Sequence, residues 1–239
     1  MSAPGVLLVP YGADQWSLSA IDCVRTPSGA LRVSAPFPCV AIEPAAREPL
    51  RLNNAPYALG AAAAAGSSPL QALRAHSKHL CRPWDRLSHR FVDAYFDHLE
   101  AAVAADMDAL RRRAEPFAGL FAPEDWIYSA PRPLPRAHLA APEAAPAGTE
   151  ADHVQADVAF WLGDRFAAAL STQSGLTPAR ARARAERLAR AGVQVVAFGA
   201  ADLARPEPLF DALLGGPVAR FWAAEPLPCG PFRPPAVDA

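Results

Sequence analysis

Lysine is almost missing from this chain: of 23 basic residues, Lys78 alone is a lysine and the rest are arginines. Any chemistry that needs an amine therefore has one place to find it. Cysteine is also sparse. Cys23, Cys39, Cys81 and Cys229 lie far apart with no C-x-x-C pair, which excludes a zinc knuckle or a thioredoxin-like site and leaves buried free thiols as the reading. Charge of one sign is lacking too: with 20% charged residues and a net charge of -1, the chain is neither a disordered acidic tail nor a basic coat for nucleic acid. No apolar run approaches the roughly 18 residues that span a bilayer; the alanines between Leu59 and Gly66 are far too few. The start, Met1 to Pro10, has no basic region ahead of its short apolar run, so no secretory signal is expected. These absences predict a cytoplasmic bacterial protein with no membrane partner. Also absent are a G-x-S-x-G elbow, a P-loop and a dinucleotide-binding glycine pattern.

What the chain has in excess is proline, 26 of 239 residues, about double ordinary usage, so its connections are stiff. With 51% hydrophobic residues it can bury a sizeable core. Up to residue 60 the pattern predicts a β-rich lobe, with strands at Val6–Pro10, Gln15–Val24, Leu31–Ser34 and Cys39–Ile42. Residues 61–83 read as a connector. From Trp84 the apolar residues Leu87, Phe91, Tyr95, Leu99, Val103, Met107 and Leu110 step by three or four, which predicts one long helix to about Arg113 with a core-facing stripe. Glu124 to Leu134 reads as an extended edge segment, because its prolines cannot donate to a ladder. Pro142 to Glu150 is a loop or linker. Val154–Trp161 and Arg165–Ser171 flank Leu162-Gly163-Asp164 and predict a hairpin. Thr177-Pro178 opens a helix that Gly192 closes, followed by a buried strand Val193–Phe198 and a short helix Glu207–Leu214. Residues 216–239 read as a proline-rich tail.

The order is α-β-β-β-α-β. On that order, and on Ala156-Asp157-Val158-Ala159-Phe160-Trp161, the turn at Gly163, the strand Phe166–Leu170, the arginine-rich helix and Ala191 to Phe198, residues 84–215 resemble the PD-(D/E)XK nuclease superfamily, in particular the compact type related to very-short-patch repair endonucleases. The resemblance implies a restriction-endonuclease-like core, a mixed β-sheet flanked by helices in the α/β (or α+β) class, carrying the N-terminal lobe. In such nucleases an aspartate on one hairpin strand and a glutamate on its partner hold Mg²⁺, with a lysine two residues beyond. The ion needs oxygen ligands, preferably anionic, to stay bound and to activate water. Asp157 stands at the aspartate's place. A two-residue turn pairs Asp157 with Leu170 and a three-residue turn with Ser171, so the lysine's place holds Thr172 or Gln173. Neither register restores the motif.

Five arginines, at 180, 182, 184, 187 and 190, fall on the following helix. Arg180, Arg184 and Arg187 make one stripe, opposite Ala181, Ala185 and Leu188, and are the candidate contacts to a phosphate backbone. His76 and His79 stand at i, i+3 with Cys81 nearby, and His89 and His98 on the long helix, but no ligand follows at a familiar spacing and no zinc site is expected. The expectation is a nuclease-like protein whose cutting site has decayed, serving as a DNA- or RNA-binding or protein-assembly component with no cofactor. A protein partner has the N-terminal lobe and the tail Pro226–Pro235 available. The alternatives are a Mg²⁺-dependent endonuclease with Asp157, Glu100 and Gln173 as catalytic residues and Asp157 and Glu100 as metal ligands, or an oligomer subunit with no nucleic-acid role.

Overall fold

A computed structural model describes residues 6–14, 18–27, 31–54, 66, 68–117, 119–140, 153–223, 225 and 227. Its strands are β1 (Leu7–Pro10), β2 (Asp22–Arg25), β3 (Leu31–Ser34), β4 (Cys39–Ile42), β5 (Leu134–Pro135), β6 (His138–Ala140), β7 (His153–Gln155), β8 (Val158–Trp161), β9 (Phe166–Ser171) and β10 (Gln194–Phe198). Its α-helices are α1 (Pro69–His79), α2 (Arg86–Ala105), α3 (Met107–Ala114), α4 (Pro178–Arg190), α5 (Pro206–Leu214) and α6 (Arg220–Ala223). The protein is mixed α/β, built on a four-stranded sheet in the order β10-β9-β8-β5 with several two-stranded ladders beside it.

The hairpin β8–β9 sets the frame. Val158 pairs with Ala169 and Trp161 with Phe166, and the Leu162 amide donates to the Arg165 carbonyl at 3.0 Å across the two-residue turn. Gly163 sits there at φ +101°, and a Cβ at that position would lie 2.5 Å from the Arg47 carbonyl oxygen, so both the backbone angle and the neighbour require glycine. Continued by one step, this register puts Leu170 opposite Asp157, the first of the two registers expected. On the other side of β8, Leu134 pairs with Ala159 and His138 with Gln155. The ladders β5–β8 and β6–β7 thus share one register, interrupted where Arg136, at φ +53°, stands opposite Asp157 and donates its amide to the Asp157 carbonyl at 2.8 Å. From β9 the chain crosses through α4 to β10, which lies parallel to β9.

Successive residues of a strand point to opposite faces, and both faces of this sheet are covered. Val158, Phe160, Ala167, Ala169 and Phe198 face a core formed with α2 and α5. There the Phe91 ring lies 4.7 Å from Phe198 and 5.3 Å from Phe210, and Tyr95 lies 5.1 Å from Phe160. Ala159, Trp161, Ala168 and Leu170 face a second core shared with Val9, Tyr11, Ile42 and Leu50 from the N-terminal strands and Leu188 from α4. The first residues therefore pack on the sheet itself, and the Leu50 amide donates to the Trp161 carbonyl at 3.1 Å.

The structure departs from the expected elements in five places. The long helix is two, α2 and α3, broken at Asp106, a poor interior helix former. The connector contains α1, because Ser68-Pro69 is a helix start: proline at the first turn loses no bond there. Within Glu124–Leu134, a 3₁₀ helix Pro123–Ser129 buries Trp126, and the strand is confined to Leu134–Pro135. The Asp125 carboxylate accepts the Ala122 amide at 2.8 Å and fixes that turn. The second N-terminal strand is limited to Asp22–Arg25 by its four-residue partner, with a 3₁₀ turn at Leu18–Ala20 ahead of it. The tail begins inside the core, where Val218 and Trp222 are 2% and 0% exposed. Pro142 to Glu150, Ala61–Ala65 and all of Pro226–Pro235 except Leu227 lie outside the described residues.

Candidate functional site

Asp157 is held at the break between β7 and β8. Its Oδ2 accepts the Ser171 amide at 2.7 Å and its Oδ1 accepts Arg184 Nη2 at 2.8 Å. Arg184 also donates Nε to the Gln155 carbonyl at 2.6 Å. The two charged side chains are 13% and 15% exposed, so this pair is more shielded from solvent than the surface ion pairs around it. It joins β7, β9 and α4 at one point. Chemically, both carboxylate oxygens are engaged and the negative charge is already matched by a guanidinium.

Around this clamp lies a cleft of about 710 Å³. One wall is the turn leading into α2, carrying Arg82, Trp84 and Arg86; the other is the loop 173–176 and the first turns of α4, carrying Arg180, Arg184 and Arg187. Both walls are locally fixed by caps. Asp85 accepts the Ser88 amide at 3.0 Å and the Ser88 hydroxyl at 2.7 Å, which starts α2 at Arg86. Thr177 Oγ1 accepts the Arg180 amide at 3.4 Å, which starts α4. Arg82 donates to Asp14 Oδ1 at 3.0 and 2.8 Å, and this bond is the main reason the Asp14 carboxyl titrates below its ordinary value. Arg86 and Arg180 are exposed and form no ion pair among the described residues. Five arginines therefore face the cleft against two carboxylates, Asp85 and Asp157, each already bonded within the protein.

Of the sequence candidates, Asp157, Gln173, Arg180, Arg184 and Arg187 share this cleft. Arg184 is there as the partner of Asp157, while Arg180 and Arg187 reach it from the same helical face. Gln173 donates its amide to Ser171 Oγ at 3.1 Å and keeps its side chain exposed. Glu100 is not part of the site: it is exposed on α2, fourteen residues and so about 21 Å of helix rise beyond Arg86. Across the ladder from Asp157 stands Leu170, 7% exposed and apolar. Asp157 by itself makes a poor magnesium site: the ion wants several oxygen ligands, preferably anionic, and this one carboxylate already accepts a hydrogen bond on each oxygen and has its charge matched by Arg184. Among the described residues no group of three potential ligands gathers anywhere. Burial pushes the Cys81 thiol up to about 12, so it is not poised as a thiolate ligand.

Three contributors escaped the sequence reading. Trp84 was expected in the core stripe but is 74% exposed, because Asp85 caps the helix after it and leaves the indole outside. Arg82 and Arg86 were not singled out, although the run Arg-Pro-Trp-Asp-Arg ahead of an apolar period carries the signal. No family model, curated protein or solved structure matches the chain.

Proposed function

We propose that this cleft binds nucleic acid through its phosphate backbone without cutting it. The observation that carries the reading is the convergence of arginines from two segments nearly a hundred residues apart on a cleft whose own carboxylates are spent on the fold. Guanidinium groups bind phosphate oxygens in paired, planar geometry and displace the counterions condensed on the polymer, which drives association. The Asp157–Arg184 bond has a positioning role here: it ties α4 to the hairpin so that Arg180 and Arg187 face the opposite wall. The resemblance to a nuclease core points to the same ligand class. The endonuclease alternative requires Glu100 and Gln173 beside Asp157; Gln173 lines the cleft with it, while Glu100 stands about 21 Å of helix rise beyond Arg86.

Incubation with plasmid and Mg²⁺ or Mn²⁺ tests the second half of the reading, and retention of labelled DNA or RNA at low salt tests the first. The expected outcome is uncut plasmid together with retention that weakens steeply as salt is raised. Metal-dependent cleavage abolished by Asp157→Asn overturns the claim of a silent site. Absence of retention of every nucleic acid at low salt overturns the claim of binding.

A further inference from the structure

We infer that the cleft selects a single strand over a duplex, with an unpaired base stacked on Trp84; this rests on the binding reading above. Large apolar rings are ordinarily withdrawn from water, and Trp126, Trp161 and Trp222 are 0%, 5% and 0% exposed. Trp84 is 74% exposed at the rim of the cleft. Its backbone is rigid. Pro83 precedes it, the Asp85 amide donates to the Arg82 carbonyl at 3.0 Å, the Arg86 amide donates to the Trp84 carbonyl at 3.0 Å, and His89 Nε2 lies 3.1 Å from the Arg82 carbonyl. The indole is therefore presented from a fixed turn and has two side-chain torsions to lose on contact. On either side of it in sequence stand Arg82 and Arg86, and the α4 arginines face it from the other wall.

An aromatic face among cations is the arrangement that single strands use: bases stack on the ring, whichever base it is, while the cations follow the phosphates. A duplex keeps its base faces stacked inside and offers an indole nothing but edges and backbone. The cleft volume of about 710 Å³ falls in the range that encloses small ligands, which suits one or a few nucleotides of a single chain. Trp84, the arginines lining the same cleft and the limited volume all point to the same ligand form.

The test compares a labelled single strand of about twelve nucleotides with the duplex of the same sequence by fluorescence anisotropy at low salt, using the full chain, Trp84→Ala and Trp84→Phe. The single strand is expected to bind at least about tenfold more tightly than the duplex. Trp84→Ala is expected to lose about tenfold on the single strand and nothing on the duplex, with Trp84→Phe recovering most of the loss. Since Trp84 is exposed, the unfolding midpoints of the variants should match that of the parent protein. Equal affinity for both forms, or an unchanged single-strand affinity in Trp84→Ala, overturns the selection of single strands and leaves the binding function standing. A mononucleotide bound as tightly as the oligomer also overturns it. Failure to bind either polymer overturns the function itself.

Discussion

The middle and the start of α2 show two ways of placing side chains. Its middle turns bury Phe91, Tyr95 and Phe96 at 0% exposure in a dry cluster with Phe160, Phe198 and Phe210, where shape and apolar area decide everything. Its first turn opens on a polar cleft where both carboxylates, Asp85 and Asp157, are bonded within the protein, and where Arg86 and Arg180 form no ion pair among the described residues. The first region depends on periodicity within one helix and two strands. The second depends on bonds between residues far apart in sequence, such as Asp157 to Arg184 and Arg82 to Asp14. On the function proposed above, stability resides mainly in the first and ligand recognition in the second, so substitutions in the two should separate these properties.

The largest effect is expected in the aromatic cluster. Phe91→Ala removes a ring that touches both β10 and α5, and should cost about 3–5 kcal/mol in chemical denaturation. Next comes the clamp. Arg184→Ala leaves Asp157 shielded with one remaining donor, the Ser171 amide, and should cost about 2–3 kcal/mol, with α4 loosened from the hairpin. If Arg184→Ala proves harmless to stability, the clamp is a surface pair and the contrast between the regions is weaker than the burial suggests. Thr177→Ala, which removes the cap of α4, should cost about 1 kcal/mol.

A smaller effect follows from three histidines. Burial lowers the titration of His76, His98 and His138, and for His98 the carboxylates Asp211 and Glu207 pull only partly the other way. Because the folded state resists the proton more than the unfolded state does, stability rises with pH through this window and is lost as pH falls below about 6.5. Unfolding free energy measured from pH 8 downward should be level first and then decline. His98→Phe, which keeps the ring contact with Phe210, should make that decline shallower.

How much of this the sequence disclosed follows the same division. The apolar stripe from Leu87 onward, the hairpin at Gly163, the cap at Thr177 and the common face of Arg180, Arg184 and Arg187 are set by short-range spacing, and the structure contains them. The neutral residue opposite Asp157 follows from counting outward from the turn. Trp84 was misplaced because it fits the three-or-four step by number alone; the cap signal Asp85 with Ser88 three residues later ends the helix just short of it. The 3₁₀ turn at Pro123 was masked by the prolines after it, which suggest extended chain. The pairing of Asp157 with Arg184 joins residues 27 positions apart and has no local signature, since any of five arginines could have met the aspartate. Glu100 looked available on the sequence because helical position was known without the direction in which the helix runs from the cleft.

Arg180→Ala with Arg187→Ala should change stability by no more than about 0.5 kcal/mol, since both side chains are exposed. The same double variant supplies the most direct test of the cleft's role: the dependence of single-strand affinity on salt, plotted as the logarithm of the binding constant against that of salt concentration. The account predicts a steep negative slope for the parent protein, and a slope shallower by about 1.4 for the double variant, as for two lost phosphate contacts. Parallel lines for the two proteins, or no measurable slope at all, would contradict it.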